Sequence, residues 1–276
     1  MTPVMWSYRS SASAEAEGEV YRLSDRTVIG TGELIREIGR SGVIVVGEVH
    51  DDVVHHRLQL FLLRALKAAG TPITVGFEMF PKDAKSVLDR WVAGKMTEKE
   101  FIPLFEKYWR FPWPLYADIL RFVRDNRVPS LGLNIPQGIS RKVVQSGFSS
   151  LTDDELRQLP PGLTCNVTGQ YREFIRQVFS FHSREGEDFE YFCEAQLLWD
   201  KSMAWYIVDY RKKHPERTLV VLTGLTHAWK RGIPDRIKEY SAESSFVVLF
   251  PAVPRQVSPW NVSSEDADYV LLPGAF

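Results

Sequence analysis

The chain has 276 residues, of which 44% are hydrophobic, so it can bury a sizeable core as one large domain. Its 34 basic and 35 acidic residues are mixed along the chain and give a net charge of −1, which argues against a nucleic acid as partner. The two cysteines, Cys165 and Cys193, lack metal-ligand spacing and do not indicate a disulfide framework.

The first eighteen residues are rich in Ser, Ala and Glu, and we predict a mobile arm over 1–18 and one domain over 19–276. The arm contains no apolar run of the length that a signal peptide needs, which predicts a cytoplasmic protein. An envelope location is the alternative if an export signal has been removed. No stretch approaches the roughly 18 uninterrupted apolar residues of a membrane-spanning helix.

Strands alternate with helices along most of the chain, and this predicts a mostly parallel sheet with helices on both faces. Residues 20–29 favour a short strand or hairpin, and 31–38 a helix. Further strands are predicted at 43–47, 73–79, 128–133, 219–223 and 246–250, with a short one at 269–272 expected at an edge. Between 140 and 213 helical periodicity replaces the strand signal, which predicts a helical insert.

Polar side chains follow three of the predicted strands. His50 and His227 each end a Gly-x-x-His tetrapeptide that closes a β-branched run, Glu48 precedes His50 by two residues, and Glu78 follows the second of these strands. Open α/β sheets bind ligands at the carboxyl ends of their strands, so we expect these four residues to form one site as catalytic groups. Two imidazoles and two carboxylates also suit a divalent ion such as Zn²⁺, Mn²⁺ or Fe²⁺. Separate roles as helix caps or ion-pair partners are the alternative.

The helix predicted over 191–210 carries two polar residues in or beside its apolar stripe. Gln196 and Asp200 are four residues apart and are therefore stacked. Buried polar groups are costly unless they are hydrogen-bonded, so we expect the pair to support a site histidine. Pairing with Arg or Lys of a neighbouring helix is the alternative. The adjacent His55 and His56, in the helix after strand 43–47, are both expected in solvent.

Two aromatic segments, 109–116 and 171–192, flank these polar residues in sequence. Such segments usually form core, but they can also line a flat slot for an apolar ligand. The chain contains no Gly-x-Ser-x-Gly elbow and no Walker loop, so nucleophilic Ser or Cys catalysis is unsupported.

A set of short motifs in fixed order resembles the ChaN family, within the grouping of erythromycin-esterase-like and Tiki-like proteins. The resemblance runs from about residue 43 to 236. It rests on Gly-Glu-Val-His at 47–50, Gly-Phe-Glu-Met-Phe at 76–80, Asn134 before Pro136, Glu-Ala-Gln-x-x-x-Asp at 194–200, and Gly-x-x-His at 224–227 followed by Arg-Gly-Ile-Pro-Asp-Arg at 231–236.

The resemblance implies a three-layer α/β/α sandwich and a role in haem binding and iron uptake. In that family haem is held between subunits with a tyrosine as iron ligand, which implies a homodimer. Esterase-like and Tiki-like relatives use the positions of Glu48, His50, Glu78 and His227 for metal-dependent or acid/base hydrolysis. Exported family members carry a lipidated cysteine near the N-terminus, and this chain has none there.

For haem, the aromatic segments offer a slot and several side chains to hold it. The tyrosine candidates are Tyr116, Tyr171 and Tyr191, and the candidates for the propionates are His55, His56, Arg110 and Arg172. Asn134, Gln196 and Asp200 are expected to support the site. Three functions stay open: a haem-binding or iron-handling protein, a metal-dependent hydrolase, and a non-catalytic interaction domain with a relic site.

Overall fold

One sheet of eight strands organises the computed structural model, which describes residues 18–182 and 188–272, except for the side chains of residues 177–182. The predicted arm therefore lies outside the described residues, apart from Gly18. The strands are β1 (Glu19–Arg22), β2 (Thr27–Gly30), β3 (Val43–Glu48), β4 (Ile73–Pro81), β5 (Ser130–Asn134), β6 (Thr218–Gly224), β7 (Phe246–Pro251) and β8 (Tyr269–Leu271).

The strand order is β2-β1-β8-β7-β3-β6-β4-β5. The six strands from β8 to β5 are parallel, and the two antiparallel pairings are those that β1 makes with β8 and with β2. The sheet is mostly parallel, as the alternation of strands and helices predicts. One detail of the prediction is wrong: β8 lies inside the sheet and not at its edge, because the β1–β2 hairpin pairs along its outer side.

Helices cover both faces of this sheet. They are α1 (Thr31–Ile38), α2 (Val53–Ala68), α3 (Lys85–Val92), α4 (Glu98–Tyr108), α5 (Trp113–Asp125), α6 (Gln137–Ser146), α7 (Asp153–Leu156), α8 (Gly169–His182), α9 (Phe189–Lys213), α10 (Leu225–Ala228) and α11 (Ile233–Tyr240), with short 3₁₀ turns at Lys82–Ala84 and Phe148–Ser150. In the described parts of the chain, no helix combines the length and the apolar character that crossing a bilayer requires.

Alternate residues of β3 show how the layers form. Ile44 and Val46 pack into a core with α1 to α5, whereas Val43 and Val45 pack into a second core with α9 and α11. Successive side chains of a strand point to opposite faces, and a continuous β-branched run therefore needs a helical layer on each side. The three-layer α/β/α fold predicted from the sequence is confirmed.

The long helix α9 runs antiparallel to the parallel strands. At its C-terminal end the Tyr210 hydroxyl lies 2.8 Å from the Thr74 hydroxyl, close to the amino end of β4. Met203 and Ile207 pack on the sheet, and Asp200 contacts the segment that follows the carboxyl end of β6. The half of α9 that precedes Asp200 therefore extends beyond the carboxyl edge of the sheet.

Strand β4 pairs irregularly with β5 near Glu78. The pairing of β4 with β5 changes register between Phe77 and Pro81. At this point the two backbones approach so closely that a Cβ on Gly132 of β5 would lie 2.2 Å from the Pro81 carbonyl oxygen. Glycine at position 132 thus permits the close approach of β4 and β5 at the level of Glu78.

Candidate functional site

The register of the sheet brings three polar strand ends to one level. Glu48, the last residue of β3, pairs with Gly224, the last residue of β6. On the other side of β6, Phe77 of β4 pairs with Leu222, so Glu78 follows one residue later beside Thr223. The carboxyl ends of β3, β4 and β6 therefore form the floor of a single crevice, where α/β sheets bind their ligands.

The first group in this crevice, which we call the His50 arm, consists of Tyr116, Glu48 and His50. One carboxylate oxygen of Glu48, Oε1, lies 2.9 Å from His50 Nδ1 and accepts a hydrogen bond of 2.6 Å from the Tyr116 hydroxyl. The other oxygen, Oε2, lies 3.1 Å from Nε2 of His56, close enough for ion pairing although not aligned as a hydrogen bond. Glu48 is thus a buried carboxylate surrounded by three polar neighbours.

The protonation of the His50 arm follows from these contacts. Burial raises the pKa of Glu48, but His50 and His56 outweigh burial and lower that pKa to about 2. Burial likewise lowers the pKa of His50, yet the hydrogen bond to Glu48 and the charge of Glu78 raise it above its ordinary value. Burial and the Glu48 carboxylate raise the pKa of Tyr116, so its phenol stays neutral and donates. The arm is an ionised carboxylate held by an imidazole and a phenol.

The second group, the His227 arm, consists of Tyr171, Asp200 and His227 and has the same chemical order. His227 Nδ1 lies 2.6 Å from Asp200 Oδ1, and the Tyr171 hydroxyl donates a hydrogen bond of 2.6 Å to Asp200 Oδ2. Burial lowers the pKa of His227, but the carboxylates of Glu78 and Asp200 outweigh it and raise the pKa to about 9. Burial and Asp200 also raise the pKa of Tyr171, which keeps this phenol a donor.

Glu78 lies between the two arms. Its Oε2 accepts hydrogen bonds of 2.6 Å from the Thr223 hydroxyl and from the Gly224 amide, while its Oε1 lies 3.8 Å from His227 Nε2. The side-chain amide of Asn134 donates to the Glu78 carbonyl oxygen at 3.0 Å and holds the β4 backbone beside the end of β5. A separation of 3.8 Å is too long for a hydrogen bond, so Glu78 Oε1 and His227 Nε2 do not satisfy each other directly.

Gly224 marks the point where the His50 arm and Glu78 meet. A Cβ at this position would lie 3.0 Å from His50 Nε2, 2.8 Å from His50 Cε1 and 3.6 Å from Glu78 Oε2. The absence of a side chain at residue 224 thus keeps the free nitrogen of His50 open toward Glu78. The structure brings together all four of the predicted catalytic residues, Glu48, His50, Glu78 and His227.

The four side chains are not grouped as metal ligands. Across residues 18–182 and 188–272, no three His, Cys, Asp or Glu side chains are placed to hold one ion. Each of the four already uses one polar atom within the site: Glu48 Oε1 contacts His50 Nδ1 and Tyr116, Glu78 Oε2 accepts from the end of β6, and His227 Nδ1 contacts Asp200. The arrangement in this structure is a network of ion pairs and hydrogen bonds.

His55 and His56 correct the expectation that both lie in solvent, because both are buried. His55 Nδ1 accepts a hydrogen bond of 3.0 Å from the Val49 amide, and burial lowers the pKa of His55. The His56 ring packs against Tyr116 with 4.2 Å between the ring centres, next to Glu48. Neither imidazole is free for a haem propionate.

The three candidate haem tyrosines have different environments. Tyr116 and Tyr171 are buried and donate their hydroxyl hydrogen atoms to Glu48 and Asp200. As neutral internal donors with raised pKa values, they do not present a phenolate to iron. Tyr191 lies on the half of α9 that extends beyond the sheet and is 36% exposed. Its ring packs beside Gly147, which follows α6. Of the three candidates, Tyr191 alone is accessible.

Aromatic side chains line the open side of His50. The rings of Trp109 and Phe111 lie 4.9 Å and 5.0 Å from the His50 ring. The His50 side chain is 29% exposed, compared with 9% for His227. Segment 109–116 thus lines the crevice as well as the core. The side chains of residues 177–187, in the second aromatic segment, lie outside those that the structure describes.

Several residues that build the site were not identified from the sequence. The roles of Tyr116 and Tyr171 as donors to buried carboxylates depend on how α5 and α8 pack, and no local pattern shows that packing. Thr223 was available to sequence reasoning, because it immediately precedes Gly224 at the carboxyl end of a buried strand. Gln196 lies on the same helical face as Asp200, yet it hydrogen-bonds no residue within the described ranges.

Known proteins resemble this chain in fold and in sequence. ChaN of Campylobacter jejuni, solved with cofacial heme, superposes with a TM-score of 0.74 at 19% identity, over 93% of this chain and 97% of that one. A mutant of erythromycin esterase EreC in its open conformation gives a TM-score of 0.49 at 12% identity, over 91% of this chain and 82% of that one.

A curated plant protein is also similar in sequence. Protein RETICULATA-RELATED 5, chloroplastic, of Arabidopsis thaliana is 23% identical over 258 residues, which is 84% of this chain and 34% of that protein. This chain therefore spans about a third of that relative. The family model described as haem-binding uptake, Tiki superfamily, ChaN matches residues 34–237, which include every residue of both arms. The chain therefore belongs to the ChaN family of haem-binding uptake proteins, within the Tiki superfamily.

Proposed function

We propose that this protein binds haem beyond the carboxyl edge of its sheet. The main support is membership of the haem-binding uptake family, whose model covers residues 34–237. The structure of ChaN of Campylobacter jejuni is described by its cofacial heme binding, and that protein shares this fold. The observation that carries the proposal to a residue is the accessibility of Tyr191, in contrast to the buried Tyr116 and Tyr171.

Separate parts of the chain offer candidates for each group that haem requires. Haem binding needs an axial ligand, an apolar surface, and donors for two propionates. Tyr191 supplies an accessible phenol, and the rings of Trp109 and Phe111 supply apolar surface beside His50. Arg110, in the same loop, is exposed and forms no ion pair within the described residues. Haem would supply a redox-active iron held by the Tyr191 oxygen.

Titration of the purified protein with hemin, followed at the Soret band, tests this proposal. We expect saturable binding by the wild-type chain and at least about tenfold weaker binding by Tyr191→Phe, since the substitution removes the iron ligand. Tyr240→Phe is the matched control, because Tyr240 is half-buried on α11 and its hydroxyl makes no hydrogen bond among the described residues. Equal affinity of Tyr191→Phe and the wild type would exclude Tyr191 as the ligand.

The family resemblance also implies that two copies share the haem, and the same samples test this. Size-exclusion chromatography with light scattering, before and after addition of hemin, gives the mass of each species. A shift from one copy to two on saturation supports shared binding. An unchanged mass with a saturated Soret band would show that one copy is sufficient.

Acid/base hydrolysis is the second candidate, and one observation favours it. In each arm a carboxylate contacts Nδ1 of a histidine, and the other nitrogen, Nε2, faces the crevice near Glu78. A carboxylate that orients an imidazole is the arrangement by which enzymes prepare a general acid or base. The raised pKa of His227, about 9, makes it a proton donor, and its Nε2 lies 3.8 Å from Glu78 Oε1.

A panel of activated carboxylic and phosphate esters distinguishes the two candidates. If the crevice hydrolyses one of them, Glu78→Gln and His227→Gln should each lower the rate at least about 100-fold, while Tyr191→Phe leaves it unchanged. Repeating the assay after chelation and after addition of Zn²⁺ or Mn²⁺ tests whether the reaction uses a metal. Absence of both hemin binding and hydrolysis would favour a non-catalytic interaction domain.

A further inference from the structure

His56 is a buried histidine that neither candidate function uses. Its side chain is 2% exposed, and neither ring nitrogen makes an aligned hydrogen bond within the part of the chain that the structure describes. The same face of α2 carries leucines that pack into the core, such as Leu62 and Leu63. A polar ring on this apolar face therefore needs an explanation.

Gln59, one turn later on α2, provides a contrast. It has no exposed surface, and both polar atoms of its side chain are buried without a partner. Judged by hydrogen bonds alone, His56 and Gln59 have the same status. They differ in their surroundings, because the His56 ring contacts Glu48 and Tyr116, whereas the Gln59 side chain makes no polar contact with any described residue.

The His56 ring lies beside the oxygen of Glu48 that His50 and Tyr116 do not use. Its Nε2 is 3.1 Å from Glu48 Oε2, while Oε1 contacts His50 Nδ1 and accepts from the Tyr116 hydroxyl. The His56 ring also packs on the Tyr116 ring, with 4.2 Å between the ring centres. The Glu48 carboxylate is thus enclosed by side chains from α2 and α5, and each of its oxygens has a nitrogen beside it.

The orientation of Glu48 determines which nitrogen of His50 carries a hydrogen atom. An ionised carboxylate only accepts hydrogen bonds, so the contact of 2.9 Å between Glu48 Oε1 and His50 Nδ1 requires a hydrogen on Nδ1. Whenever His50 is neutral, its Nε2 then has a free lone pair, and Nε2 is the nitrogen beside Gly224 and the crevice. A carboxylate that turned away from His50 would no longer select this tautomer.

Contacts to one oxygen do not fix a carboxylate. The last torsion angle of a glutamate side chain has a broad energy minimum, so a carboxylate that is held at Oε1 alone can still rotate. A donor beside Oε2 restricts that rotation, because the two oxygens are then held by different elements of the fold. His56 is the described residue that lies at Oε2.

We propose that His56 is a positioning residue, which holds Glu48 so that neutral His50 keeps its hydrogen on Nδ1 and presents an open Nε2 to the crevice. An imidazole nitrogen with a free lone pair can accept a proton or bind a metal centre. The inference concerns the His50 arm and not the identity of the ligand. It can therefore fail while haem binding stands, and haem binding can fail while it stands.

Two substitutions of equal length test the proposal. In His56→Gln the side-chain amide can donate to Glu48 Oε2, whereas His56→Met has no donor. Nuclear magnetic resonance of isotope-labelled histidine side chains, assigned with His50→Gln and recorded above the pKa of His50, gives the ratio of its Nδ1–H to its Nε2–H form. We expect the Nδ1–H form to predominate in the wild type and in His56→Gln. In His56→Met the ratio should fall at least about tenfold, because the hydrogen bond to a charged group is weakened.

Gln59→Met is the matched control, since it removes a buried amide from the same helical face without touching Glu48. We expect this variant to leave the His50 ratio unchanged. If His56→Met does not fold, His56→Asn replaces it, because the shorter amide does not reach Oε2 and should lower the ratio in the same direction.

Three results would overturn the proposal. A predominant Nε2–H form of His50 in the wild-type chain does so without any variant. An unchanged ratio in His56→Met, or in His56→Asn where that variant is used, shows that His56 does not hold Glu48. Equal decreases in His56→Met and Gln59→Met show that the packing of α2 matters and the His56 nitrogen does not.

Discussion

The His50 arm and the His227 arm present the same sequence of groups to one crevice, a buried phenol, a carboxylate and an imidazole, but they are enclosed differently. The His50 side chain is 29% exposed beside Trp109 and Phe111, whereas that of His227 is 9% exposed and faces Glu78. Glu48 also has His56 as a neighbour, while the two oxygens of Asp200 bond only His227 and Tyr171. The His50 arm is therefore open to solvent and has His56 as an additional neighbour, whereas the His227 arm is sealed and its carboxylate has no such additional contact.

This difference indicates a division of roles. A sealed imidazolium between two carboxylates keeps its charge and position, so His227 is a fixed cation of the crevice. An imidazole with access to solvent can exchange protons with it and can contact a ligand. His50 is therefore the histidine whose protonation and contacts can change. The comparison predicts that changes in the His227 arm affect stability most, while changes at His50 affect the crevice locally.

The largest effect is expected from Asp200→Ala. The substitution leaves a buried His227 without its hydrogen-bonded carboxylate, and removal of one partner of a buried ion pair costs about 3 to 5 kcal/mol. Urea denaturation of the variant and the wild type measures the free energy of unfolding. Asp200→Asn keeps the side-chain volume and an acceptor for Tyr171, and should lose less. Equal stability of Asp200→Ala and the wild type would show that the His227 arm is not the sealed structural unit described above.

The pH dependence of stability should differ between the two arms. The pKa of His227 is about 9 in the folded protein and about 6.5 in an unfolded chain, so its stabilisation is complete below pH 6.5 and is lost as the pH rises through 9. This corresponds to a decrease of about 3 kcal/mol. For Glu48, with a folded pKa of about 2, the stabilisation is present above about pH 4.3 and is lost as the pH falls toward 2.

Denaturation midpoints in buffers from pH 3 to pH 10 measure both the loss of stability at alkaline pH (the alkaline limb) and the loss at acid pH (the acid limb). His227→Gln should flatten the alkaline limb and leave the acid limb as it is, whereas Glu48→Gln should flatten the acid limb. If the alkaline decrease persists in His227→Gln, another group causes it. The raised pKa of His50 acts in the same direction as that of His227, so His50→Gln is the control that separates their contributions.

A smaller effect should distinguish the two phenols. Tyr171→Phe removes one of two hydrogen bonds to Asp200 and should cost about 1.5 to 3 kcal/mol, typical for a hydrogen bond to a charged group. Tyr116→Phe should cost less, because Glu48 retains His50 and His56. Measuring both variants by urea denaturation under one set of conditions tests the order. A larger loss for Tyr116→Phe would mean that His56 does not support Glu48 as proposed.

The sequence predicted those parts of the site that local geometry determines. The β-branched runs predicted the strands, and the two-residue spacing of Glu48 and His50 in an extended segment predicted that they share a side. The contacts of Tyr116 and Tyr171 depend on the packing of whole helices, which no spacing along the chain encodes. His55 and His56 were expected in solvent because histidine is usually exposed on a helix. The contact of His56 with a buried carboxylate reverses that preference.

The smallest effect is expected at Gly224, where the His50 arm meets Glu78. In Gly224→Ala the new methyl group would lie 2.8 Å from His50 Cε1, which is too close, and 3.6 Å from Glu78 Oε2, which is an ordinary contact. Because His50 is partly exposed, its ring can turn toward solvent, so the stability cost should be near the lower limit for overpacking, about 1 kcal/mol. The Gly224 amide still donates to Glu78, so the His227 arm should keep its geometry. Nuclear magnetic resonance of the histidine side chains measures this directly: the His50 signals should move and those of His227 should not. Equal shifts for both histidines would show that Glu78 couples the two arms rigidly, and that the open arm and the sealed arm respond as one unit.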